Sequence, residues 1–116
     1  MSIDKRRFPR ANIPCKISTV FGERLLVFSS HTENIGGGGT MTILEEKLHI
    51  STVVDLKLLL PHREKSLKCT GQITWVTEMN PKETNPRLFN TGIEFMDVSD
   101  SDQDQIKKFV DTLISS

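Results

Sequence analysis

The chain has 116 residues, which fits one domain, and 36% of them are apolar against 26% charged. That balance excludes a disordered chain, and the lack of any long apolar run excludes a membrane-spanning helix. The 15 Lys and Arg are cancelled by 15 Asp and Glu, so no global field draws in nucleic acid or an anionic membrane.

The charges are unevenly placed. Lys5, Arg6, Arg7 and Arg10 crowd the start "MSIDKRRFPR", whereas Asp97, Asp100, Asp102, Asp104 and Asp111 crowd the last twenty residues. The start has no apolar stretch of the kind a secretory signal needs, so a cytoplasmic location is expected. Arg6 and Arg10 are four apart, and Pro9 stiffens the approach to Arg10. In an extended segment that spacing puts both on one side, about 13 Å apart. Two guanidinium planes so placed suit a ligand with anionic groups and flat rings, because arginine both forks onto phosphate and stacks on bases.

Next comes "ANIPCKISTVF", where Ile13, Cys15, Ile17 and Thr19 recur at period two and predict a half-buried strand. A turn at Gly22 and Glu23 leads into the apolar run Leu25 to Phe28, a second strand paired to the first as a hairpin. Then "TENIGGGGTMT" holds four of the seven glycines in one run, Gly36 to Gly39. No lysine follows for a phosphate loop, and Met41 and Thr42 stand where a dinucleotide fingerprint needs its third glycine.

"TMTIL" is a short β-prone segment. "STVVDLKLLLPH" sets Val54, Leu56, Leu58 and Leu60 in phase, and "KSLKCTGQITWV" sets Leu67, Cys69, Gly71, Ile73 and Trp75 on one face. Residues 79 to 87, with two Asn-Pro pairs, predict a loop. "LFNTGIEFM" resumes a strand through Phe89, Thr91, Ile93 and Phe95.

In the tail, Ser99 and Ser101 are candidate N-caps with aspartates three residues on, and Ile106, Phe109, Val110 and Leu113 form one helical stripe. That stripe is expected to cover the barrel's own core, with a partner-binding helix as the alternative. Six or seven short strands and one helix predict a small, β-dominated antiparallel sandwich or barrel.

Catalysis finds no foothold. There is no Gly-x-Ser-x-Gly elbow, His31, His49 and His62 form no metal-binding pair, and Cys15 and Cys69 have no partner at ligand spacing. No enzyme activity, metal or cofactor is expected. The two cysteines are expected to be buried thiols.

Read together, these parts resemble the PilZ domain family along almost the whole chain. The resemblance rests on the Arg-x-x-x-Arg arm "RRFPR", the Asp/Asn-x-Ser-x-x-Gly loop falling on "NIGGGG", the strand "GQITWV" and the closing segment "GIEFMDVSDSDQDQIKKFV". It implies a six-stranded antiparallel β-barrel with a C-terminal helix at about 99–114. It divides the chain into a ligand-wrapping arm, 1–11, and a barrel with its helix, 12–116.

The resemblance also implies a stand-alone receptor for cyclic dimeric GMP that signals to an effector protein, with no nucleic-acid polymer bound and no membrane insertion. Carried over by position, Arg6 and Arg10 contact the ligand's phosphates and guanines, Asn34 reads a guanine edge, and Gly39 holds the turn. Lys5 stands where the family influences whether one or two ligand molecules are held. Gly36 occupies the motif's serine position, so a hydroxyl is missing there. That departure motivates an alternative on the same fold: an interaction module that has lost the nucleotide and serves motility or pilus assembly. A barrel that binds single-stranded nucleic acid is a weaker third reading, since the chain has few aromatics and no net charge.

Overall fold

From Ile13 to Thr19 every second side chain is buried and the ones between face outward, the signature of a strand with one face on a core. The same alternation recurs in five further strands. A computed structural model describes residues 13–21, 23–36, 38–60, 66–79 and 86–115. The strands are β1 (Pro14–Phe21), β2 (Arg24–Ile35), β3 (Gly39–Leu44), β4 (Val53–Leu58), β5 (Leu67–Met79) and β6 (Leu88–Asp97). One helix, α1 (Asp100–Ser115), follows.

The strands close into an antiparallel barrel in the order β1-β2-β3-β6-β5-β4. The fold is thus the six-stranded barrel with a C-terminal helix that the family resemblance implies, settling the choice between sandwich and barrel. β1 and β2 form the expected hairpin, with Phe21 opposite Arg24. β2 is longer than its apolar run, because its polar second half continues the ladder to Ile35, up against the glycines.

Inside, Ile13, Ile17, Ile35, Val54, Leu56, Leu58, Leu67 and Ile73 form one core, and Cys15 and Cys69 join it as free thiols. Each fully buried aliphatic side chain contributes about 1.5–3 kcal/mol. Among the described residues, five buried threonines share this interior. Thr42 donates to the His31 carbonyl at 2.9 Å and Thr19 to that of Val53 at 2.9 Å. Among the described residues no buried side-chain polar atom lacks a partner.

α1 starts where Ser99 caps it: the Asp102 N–H donates to Ser99 Oγ at 3.1 Å. Asp100 and Asp102 lie in its first turn, where the helix dipole favours negative charge. Ile106 enters the core with no exposure, and Phe109 and Val110 pack against it. The helix therefore seals the barrel, as expected. The side chain of Leu113 lies outside those described.

One expectation needs correction. Trp75 does not share the inward face of Leu67, Cys69, Gly71 and Ile73; it is 42% exposed. Ile73 pairs with Ile93 but Trp75 with Gly92, so β5 carries one extra residue at Thr74. This bulge reverses the alternation, and Val76 takes the inward place.

Candidate functional site

Two bulges build one groove. On β2, Thr32 pairs with Thr42 but Asn34 with Met41, so Glu33 is the extra residue. The change of phase keeps Asn34 half-exposed while Ile35 is buried without exposure. On β5 the bulge at Thr74 does the same for Trp75. Bulges commonly re-aim a side chain beside a binding site. Asn34 and Trp75 here line the same groove, together with Gly39, Met41, Gly92 and Glu94. Its volume is about 460 Å3, within the range of small-molecule sites.

Two glycines let its walls approach. A Cβ on Gly39 would come 2.5 Å from the Ile93 carbonyl oxygen, across the β3–β6 ladder. A Cβ on Gly92 would overlap the Trp75 indole. The glycine run closes as a turn: the Gly36 N–H donates to the Gly39 carbonyl at 2.9 Å, and the Phe95 N–H donates to that of Gly38 at 2.9 Å. Thr40 Oγ1 donates to the Asn34 carbonyl, which fixes the backbone at Asn34. The Asn34 side-chain amide has no partner among the described residues. It is left with both donors and its acceptor to offer.

Of the residues singled out in the sequence, Asn34 and Gly39 line the groove, and Gly36 is buried behind it, bonded to the Gly39 carbonyl. Lys5, Arg6 and Arg10 lie outside the described residues. The groove's described lining holds one charged side chain, the carboxylate of Glu94, and no cation. The point where the chain enters β1 is well defined. The Ile13 N–H donates to Thr32 Oγ1 at 3.1 Å, and the Thr32 N–H donates to the Ile13 carbonyl at 2.9 Å. Residue 13 therefore lies beside β2 at Thr32, two residues before Asn34.

Trp75 and Gly92 line the groove, though period-two reading placed the first in the core and passed over the second. Their meeting depends on the β5–β6 register, which pairs Trp75 with Gly92 and which neither strand's own residues reveal. Among the described residues no cluster of three His, Cys, Asp or Glu gathers to hold a metal. No described helix is long and apolar enough to cross a membrane. Both thiols are held in the neutral form. Burial raises the Cys15 pKa against a smaller lowering by its contact with Thr42, and burial, with Asp102 and Asp97 nearby, pushes Cys69 up to about 11.

Comparison with known proteins places this geometry. The family model described as PilZ domain matches residues 4–112. The PilZ domain of YcgR from Escherichia coli, solved with c-di-GMP, is similar with TM-score 0.67 and 14% identity, over 97% of this chain and 93% of that one. The apo structure of MrkH from K. pneumonia is similar with TM-score 0.75 and 15% identity, over 99% of this chain and 53% of that one. MotI/DgrA of Bacillus subtilis, an inhibitor of motility, matches with TM-score 0.70 and 16% identity, over 95% and 51%. The chain spans about half the length of the MrkH and MotI chains, and at such identities the likeness is one of fold. No curated protein matches the chain in sequence.

Proposed function

The chain belongs to the PilZ domain family, and on that premise we propose that it is a receptor for cyclic dimeric GMP. The observation that carries this reading is the convergence of Asn34 and Trp75, each turned out by a bulge, on one groove beside the Gly36–Gly39 turn. The Asn34 amide suits a guanine edge, and the exposed indole suits a stacked base, worth about 1–3 kcal/mol. The groove's described lining supplies no positive charge for the phosphates. In this reading Arg6 and Arg10 bring it from the arm of residues 1–11, with Lys5 adjacent in sequence. Ligand binding orders that arm and changes a surface presented to an effector protein.

Solved relatives support the ligand class: YcgR and MrkH are each described in complex with c-di-GMP. Isothermal titration tests the proposal. Binding in the micromolar range or tighter is expected, with Arg6→Ala and Arg10→Ala each weakening it far more than Arg7→Ala. No heat and no rise in melting temperature at tens of micromolar ligand would refute it.

A second reading has its own support. Gly36 lacks the motif's hydroxyl, and Glu94 places a carboxylate in the groove. If these defeat binding, the chain is an interaction module on the PilZ fold. Arg6 and Arg10 are then dispensable for its partner.

A further inference from the structure

The wall of the barrel away from the groove carries three lysines in a row. Lys16 on β1 stands opposite Lys57 on β4, and Lys57 stands opposite Lys68 on β5. All three side chains are exposed. Neighbouring strands lie about 4.8 Å apart, so the three stems span a line about 10 Å long. Like charges directly opposite weaken a ladder. None of the three has an ion-pair partner among the described residues.

The two flanks of the row differ. On one side the next outward positions are Ser18, Asp55 and Thr70, with Asp97 opposite Thr70. On the other side are Pro14, paired with His31, and Leu59, which is 47% exposed. The Leu59 N–H donates to the Pro14 carbonyl at 3.0 Å, which holds these two side by side. Shallow concavities of about 480 and 490 Å3 flank the row, and Lys16 and Lys57 line both.

We propose that this row docks an acidic, extended segment of a partner protein laid across β1, β4 and β5. Its carboxylates meet the three ammonium groups, and its apolar side chains rest on Pro14 and Leu59. The width of the row selects this partner. A membrane surface or a nucleic acid pressed onto the lysines also meets Asp55 and Asp97, which repel it. A single extended segment fits between the acidic flank and the apolar one. Such complementarity governs register and encounter rate and weakens with salt. The row is built on β1, β4 and β5 and the groove chiefly on β3 and β6, so both sites can be filled at once. Docking here requires neither the arm nor the nucleotide, so it stands or falls separately from the receptor reading.

The test is fluorescence anisotropy on the full chain without nucleotide, using a labelled ten-residue peptide of alternating Glu and Leu. Saturable binding that falls with salt is expected, at least tenfold tighter than for the matching Gln and Leu peptide. Lys57→Glu is expected to weaken it at least tenfold yet raise the melting temperature, because the new carboxylate meets Lys16 and Lys68. The pair Lys16→Gln with Lys68→Gln is expected to give the same loss, so the result does not hang on one variant. The proposal is overturned by no binding of the Glu and Leu peptide, or by undiminished binding in these variants. A lower melting temperature for Lys57→Glu overturns it too, as does tighter binding of phosphatidylserine vesicles or a single-stranded oligonucleotide.

Discussion

The indole of Trp75 lies on the backbone of Gly92, so close that a methyl group there would overlap three atoms of the ring. One face of the ring is thereby fixed by β6, and 42% of the residue stays exposed above the groove. An aromatic plane held this way is ready to stack, because its conformational freedom is already spent on the fold.

Gly92→Ala should lift the ring. This is the only tryptophan in the chain, so its emission is expected to shift to the red. A methylene forced into a packed contact costs about 1–3 kcal/mol, and the urea midpoint should fall to match. Affinity for cyclic dimeric GMP should fall as well. An unchanged emission spectrum would contradict the contact.

Neighbouring glycines in the run should answer differently to the same change. A Cβ on Gly39 meets the Ile93 carbonyl oxygen at 2.5 Å, and that backbone is held in the ladder, whereas a Cβ on Gly38 meets nothing within 4 Å. Gly39→Ala is expected to lose about 1–3 kcal/mol and Gly38→Ala to stay within about 0.5 kcal/mol of the parent. Paired urea unfolding curves check this. Equal losses would mean that the turn, not the β3–β6 approach, needs the glycines.

Gly36→Ser restores the hydroxyl of the family motif. The bond from the Gly36 N–H to the Gly39 carbonyl involves only backbone and survives the change. One added hydrogen bond of about 1 kcal/mol should tighten cyclic dimeric GMP binding about five- to tenfold by titration. A weaker complex would show that the hydroxyl is not accommodated in this turn.

The thiols set an alkaline limit. Burial holds Cys69 at about 11, above the ordinary value of 9.0, and also raises Cys15. The folded state therefore keeps protons that the unfolded chain releases first. Stability from this source is fully present below about pH 9 and is lost as pH rises toward 11. Urea midpoints from pH 8 to 11 should fall over that interval, and replacing Cys69 by Ala should flatten the slope. Native thiols should react slowly with a disulfide reagent at pH 8, since little thiolate is present.

Much of the fold was legible because alternation is a local property. Val54, Leu56, Leu58 and Leu60 point inward as their spacing predicts, as do Phe89, Thr91 and Ile93, and the helix runs from the cap at Ser99. The candidate groove was half legible. Asn34 and Gly39 carry recognisable motif positions, but the exposure of Trp75 depends on one extra residue at Thr74. Nothing in "GQITWV" marks that insertion, because a bulge is defined by the partner strand and not by its own residues. The length of β2 was hidden for a related reason: "SSHTENI" is polar and β-poor in itself, and pairing with β1 and β3 extends it. The row Lys16, Lys57 and Lys68 is likewise invisible until strand order and register bring three distant residues abreast.

The closed ring of strands also dictates when the protein becomes competent. Two of its seams, β1–β4 and β3–β6, join strands that are not consecutive in the chain. Such pairings must meet the entropy of closing long loops before their contacts reward it, which places the chain among slow folders, in the millisecond to second range. Gly39 and Glu94 face each other only across the β3–β6 seam. A chain still emerging from the ribosome has no groove until β6 is made, so its sensitivity to any groove ligand begins only once that strand has joined β3.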